Sequence, residues 1–154
     1  MNAILQVTLI AVASFAAAGA TWLAKGPPNR AFVCDPAMLK PGEICLQQVA
    51  DQSGILWVDA RSRKDWEASG VPGSILWNLD GTEDMQAFEA EAALKIAEGA
   101  ARVIVYCGDE NCGVSSQVAE RIRKLDLGPE VQVLRGGWRA LREAGRVKGS
   151  SPAS

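Results

Sequence analysis

Apolar and polar positions divide this chain into unlike stretches. From Ala3 to Ala24 no residue is charged, and Ile4, Leu5, Leu9, Ile10, Val12, Phe15, Trp22 and Leu23 dominate. At about 1.5 Å per residue, such a run reaches across a hydrocarbon core of about 30 Å. Residues 1–24 are therefore predicted to be a retained transmembrane helix. A cleavable signal competes, because Ala18-Gly19-Ala20 resembles a small-residue cleavage site. Against cleavage, no Lys or Arg precedes the run, and it continues through Trp22-Leu23. Lys25-Gly26-Pro27-Pro28-Asn29 stops a helix, so residues 25–44 read as a linker and a non-repetitive lead-in containing Cys34.

Beyond the lead-in, short apolar runs alternate with amphipathic segments. Ile55-Leu56-Trp57-Val58, Val103-Ile104-Val105-Tyr106 and Val131-Gln132-Val133-Leu134 are strand candidates. Runs that are apolar on both faces suit a parallel sheet covered on each side. Met85, Phe88, Ala92 and Ile96 share one helical face, and Val118, Ala119, Ile122 and Leu125 form another. The prediction is an α/β domain over residues 45–145, a small parallel sheet with helices on both faces. Residues 146–154 read as a disordered tail.

Composition then narrows the chemistry. The 154 residues carry a net charge of −2, which removes the basic footprint of a nucleic-acid binder. There is no histidine, so Ser-His-Asp, Cys-His and His-Glu-x-x-His chemistry are all excluded. The four cysteines lack structural-zinc spacing, and neither a metal nor a cofactor is expected.

What remains centres on one loop. A buried strand runs into Cys107, the polar loop Gly108-Asp109-Glu110-Asn111-Cys112-Gly113 follows, and a helix is predicted to begin near Ser115 or Ser116. In open α/β sheets, ligand sites form beyond the carboxyl ends of the strands. A helix amino terminus there stabilises a thiolate, and so activates a cysteine without histidine. Cys112 is close enough in sequence to form a disulfide with Cys107 or to take sulfur from it. An ordinary buried cysteine is the competing reading for Cys107.

Val58-Asp59-Ala60-Arg61, Asp65-Trp66 and Gly70-Val71-Pro72-Gly73-Ser74 resemble the front signature of rhodanese-like domains. Tyr106-Cys107, the loop with its serines, and Val118-Ala119 resemble the active-site strand, cysteine and helix. Leu134-Arg135-Gly136-Gly137-Trp138 looks like the closing Gly-Gly-aromatic segment. Cys107, Cys112 and Ser115 fit a subgroup with a second cysteine in the loop. The resemblance implies a persulfide on Cys107, with Cys112 as resolving thiol. It also implies a cradle of loop amides over Gly108, Asp109, Glu110, Asn111, Gly113, Val114, Ser115 and Ser116. By the same resemblance Asp59 and Arg61 become a buried polar pair beneath the loop. Arg135, read from its position alone, is a candidate supporting cation.

The departures from the family pattern also carry information. Gly70 replaces the histidine of the turn, and Asp109 and Glu110 stand where thiosulfate users often place cations. Two carboxylates oppose an incoming dianion. Arg121 and Arg123 are expected to be solvated on the following helix. A neutral or protein-borne sulfur donor, with a protein thiol as acceptor, fits this loop better than thiosulfate. The phosphatase pattern Cys-x5-Arg fails, because position 113 is glycine. A catalytically inactive module for interaction or redox sensing at the membrane is the alternative. The tryptophans Trp57, Trp66 and Trp77 are expected to pack in the core. On sidedness, Lys25 and Arg30 favour a cytoplasmic body by the positive-inside rule, whereas a Cys34–Cys45 bridge requires an oxidising compartment. The bilayer is the expected partner of the first helix. The exported side is the expectation for the domain, and the cytoplasmic side stays open.

Overall fold

The computed structural model describes Gln6 and residues 32–49, 53–109 and 113–147. The chain divides into two units, residues 1–31 and 32–154. Apart from Gln6, the stretch expected to form the anchor lies outside the described residues, as does the tail from 148 onward. Among the described residues no helix is long and apolar enough to cross a membrane.

Among the described residues five parallel strands form one sheet in the order β1-β5-β4-β2-β3. They are β1 (Glu43–Ile44), β2 (Ile55–Asp59), β3 (Ile75–Leu76), β4 (Arg102–Tyr106) and β5 (Glu130–Leu134). The helices are α1 (Arg63–Ser69), α2 (Met85–Ala97), α3 (Val114–Lys124) and α4 (Gly137–Glu143). The three apolar runs read from the sequence are the long central strands. Their side chains alternate between two layers, as a pleated strand requires. Leu56, Val58, Val103, Val105, Val131 and Val133 face Phe88, Ala92 and Ile96 of α2 and Val118, Ala119 and Ile122 of α3. Trp57, Ile104, Tyr106 and Leu134 face the other way, with Val49, Val147 and Leu141 of α4. Val58, Val103 and Val105 are completely buried, each a contribution of about 1.5–3 kcal/mol.

Helix ends follow local chemistry. The Ser62 hydroxyl accepts from the Asp65 N–H and donates to the Asp65 carboxylate, closing the start of α1. Asp84 caps α2 by accepting from Gln86 and Ala87 N–H at 3.0 and 3.1 Å. Helix α3 starts at Val114, just before the serines expected to open it, and ends on Arg121, Arg123 and Lys124, which suit the carboxyl end of the dipole.

The stretch before β1 is tied to the domain. Cys34 and Cys45 form a disulfide with Cα atoms 5.7 Å apart, and Gln47 Nε2 donates to the Cys34 carbonyl at 2.9 Å. Trp57 and Trp77 are buried as expected, and Trp66 is half-buried against the first layer.

Candidate active site

Strand β4 delivers Cys107 to the carboxyl edge of the sheet. Pairing with β2 holds to the last residue, since Asp59 lies opposite Tyr106 and the Ala60 N–H donates to the Tyr106 carbonyl at 2.8 Å. The Cys107 side chain belongs to the layer under α2 and α3 and is 1% exposed. Ser115, buried in the first turn of α3, donates its hydroxyl to the Cys107 sulfur at 3.5 Å. The sulfur also lies 3.9 Å from the Asp109 carbonyl oxygen.

Cys107 is disulfide-bonded, and Cys34 and Cys45 are bonded to each other. Glu110, Asn111 and Cys112 lie outside the described residues. Of the remaining loop, Gly108 is half-buried, and Asp109, Gly113 and Ser116 are exposed. Val114 packs against the first core layer.

The backbone of Cys107 is held from the other side. Trp138 N–H donates to the Cys107 carbonyl at 2.6 Å, and Arg139 N–H donates to the Gly108 carbonyl at 3.2 Å. This approach explains the two glycines before Trp138. Gly137 has φ +52°, and a Cβ there would strike the Cys107 carbonyl. Gly136 has φ +84°, and the ring of Phe32 fills the space its Cβ would need.

A polar cluster gathers at the carboxyl end of β2, around Asp59. The Asp59 side chain is fully buried and takes the Arg61 guanidinium through Nη2 at 2.7 Å and Nε at 3.0 Å. The same guanidinium reaches Ser69 Oγ at 3.3 Å and the Asp65 carbonyl at 3.2 Å. It lies 5.9 Å from the Tyr106 ring centre and 5.0 Å from that of Trp138, which Arg142 approaches at 5.2 Å. The Trp138 indole N–H donates to the Ser69 carbonyl at 2.8 Å. The Tyr106 hydroxyl accepts from the Val71 N–H at 3.0 Å. Burial, and secondarily the Asp59 charge, push that phenol well above its ordinary range.

Other expected residues fall elsewhere. Arg135 pairs with Glu43 at 3.7 Å, and its N–H donates to the Ile44 carbonyl, fastening β5 to β1. Arg123, expected to be solvated, is half-buried and donates to the Val131 carbonyl at 2.8 and 3.2 Å. The carbonyl draws it in because the chain turns sharply from α3 to β5, bringing Val131 back beside the helix. Gly70 stands where the family turn carries histidine, and a Cβ at that position would meet the Trp66 ring. No group of His, Cys, Asp or Glu among the described residues is arranged to hold a metal ion.

Two residues of the site gave little or no signal in the sequence. Phe32 lies in a stretch without periodicity. The role of Trp138 as a clamp on Cys107 was visible only as part of the Gly-Gly-aromatic motif.

Comparisons with known proteins agree with this geometry. The structure is similar to the BH2092 protein of Bacillus halodurans, with a TM-score of 0.53 and 20% identity, covering 70% of this chain and 76% of the other. It is also similar to an As–Sb reductase from Leishmania major, with a TM-score of 0.51 and 22% identity, covering 64% of this chain and 74% of the other. At those identities the likeness concerns the fold alone. No curated protein sequence matches the chain. The family model of the rhodanese-like domain matches residues 45–144, which take in Asp59, Cys107 and Trp138. The chain belongs to the rhodanese-like domain family.

Proposed function

We propose that this domain carries out thiol chemistry at Cys107, by sulfane-sulfur transfer or thiol–disulfide exchange, with Cys112 as the second thiol. One observation carries the reading. Cys107 is engaged in a disulfide at the carboxyl end of β4, with the Ser115 hydroxyl on its sulfur and the start of α3 beside it. A thiolate released there has a donor and a helix dipole to stabilise it.

In the proposed cycle a dithiol reduces the Cys107 disulfide, with Cys112 as its second thiol, and leaves as its own disulfide. The Cys107 thiolate attacks the outer sulfur of a donor, whose remainder departs with the bonding electron pair. Cys112 then attacks the Cys107 sulfur, the bond to the outer sulfur breaks, and hydrosulfide leaves as the disulfide re-forms. Without a donor, the same pair exchanges disulfides with a protein thiol. Asp109 on the exposed side of the loop favours a neutral or protein-borne donor over thiosulfate.

The uncharged run from Ala3 to Ala24 supports a tether to the membrane. The Cys34–Cys45 bridge supports placement of the domain on the exported, oxidising side.

Mass spectrometry of the reduced full-length chain, exposed separately to polysulfide, thiosulfate and a mild oxidant, tests the reading. A sulfur adduct on Cys107, or a Cys107–Cys112 bond that re-forms with release of hydrosulfide, is expected. A Cys107 thiol that survives all three reagents unmodified would refute it. The second reading is a redox-sensing module, favoured by an Arg61 guanidinium committed to Asp59 and a carboxylate in the loop. It predicts a disulfide that cycles with oxidant but never a persulfide.

A further inference from the structure

The lead-in touches the same helix that holds Cys107. The Phe32 N–H donates to the Glu143 carboxylate at the end of α4, and its ring rests on Gly136 at the start. Glu143 also takes Arg139 at 3.1 Å. Two residues after Phe32 comes Cys34, bonded to the fully buried Cys45 beside β1. Phe32 is thus strapped along α4, and α4 supplies the two N–H groups that grip the Cys107 and Gly108 carbonyls.

The glycine pair makes this arrangement consequential. Gly136 and Gly137 have left-handed φ angles and no side chains of their own to stiffen the turn. The Phe32 ring supplies the missing packing. Without it, the turn gains conformations in which the Trp138 N–H leaves the Cys107 carbonyl. The sulfur then loses its fixed distance to Ser115 and to the start of α3.

We propose that Phe32 is a positioning residue for Cys107, and that the Cys34–Cys45 bridge makes this positioning dependent on the redox state of the lead-in. Opening the bridge takes two electrons and two protons from a dithiol, which leaves as its own disulfide. The freed lead-in releases Phe32, and the Cys107 thiolate loses stabilisation. The inference deepens the reading of Cys107 as a reactive thiol by naming a control on it, and so rests on that reading.

The test uses the full chain in a Cys112→Ser background, where Cys107 is a thiol without any reductant reaching the Cys34–Cys45 bridge. The rate of iodoacetamide alkylation is followed against pH, with adducts assigned to Cys107 by mass spectrometry. Phe32→Ala, and separately Cys34→Ala with Cys45→Ala, should move the midpoint upward and slow the reaction at neutral pH about threefold, the scale of a helix-terminus interaction. Phe32→Tyr keeps the ring and should keep the parent profile. If circular dichroism shows the double cysteine variant unfolded, a brief dithiol pulse on the folded Cys112→Ser chain replaces it. A midpoint that stays put in Phe32→Ala, or when the bridge is absent, overturns the proposal, as does a Phe32→Tyr profile that matches Phe32→Ala. Alkylation needs no sulfur donor. A failure to form persulfide therefore leaves this result standing, and a flat profile leaves the persulfide assay untouched.

Discussion

At Gly137 two demands coincide: a left-handed backbone and room for the Cys107 carbonyl. Alanine meets neither. Gly137→Ala should destabilise the domain by about 2 kcal/mol or more, read as a lowered urea midpoint at unchanged slope. The Asp59–Arg61 pair makes a sharper case. Removing only the cation leaves a carboxylate buried without its partner, so Arg61→Met should lose about 3–5 kcal/mol. Adding Asp59→Asn to that variant should recover part of the loss, because the orphaned charge is gone. A double variant less stable than Arg61→Met alone would contradict this account. The pair was legible in the sequence as a motif. Its stacking against Trp138 was not, because that contact joins residues far apart in the chain.

Among the elements, legibility followed length and burial. Strands β2, β4 and β5 announce themselves because both of their faces are covered, which enforces continuous apolar runs. Helices α2 and α3 do so through stripes whose buried apolar members are those the periodicity named. Strands β1 and β3 have two residues each, too few to show any period. The acidic start of α2 illustrates how local chemistry sorts like residues. Asp84 caps the helix, while neighbouring Glu83 reaches across to Arg63 at 2.7 Å. Asp84→Ala should therefore reduce stability by about 1 kcal/mol in thermal or urea unfolding, and Asp84→Ser should restore most of it. A change at Asp84 without effect would mean that tertiary packing alone sets the start of α2.

For the molecule as a whole, the single tyrosine is a reporter of the core next to Cys107. Tyr106 is the only tyrosine in the chain and is fully buried. Its folded state prefers the neutral phenol, whereas the unfolded phenol ionises near pH 10. The resulting stabilisation is complete below that pH and is lost as the pH rises above it, since only the unfolded chain then gives up the proton. Tyrosinate absorbance should consequently appear together with the loss of near-ultraviolet circular dichroism, in one alkaline transition. A phenol that titrates near pH 10 while the fold persists would refute the buried placement. Tyr106→Phe removes the ionisation but leaves the Val71 N–H without its acceptor, so it should flatten the alkaline limb and lower stability near neutrality.

The sheet order β1-β5-β4-β2-β3 puts the two shortest strands at its margins. An outermost strand of ordinary length would offer a row of unpaired amides and carbonyls to any neighbouring chain. Here each outermost strand offers only two residues, paired with Val133-Leu134 of β5 at one margin and with Val58-Asp59 of β2 at the other. Strands this short give a neighbouring molecule little to extend, which should limit joining sheet to sheet through β1 or β3 when molecules are crowded together.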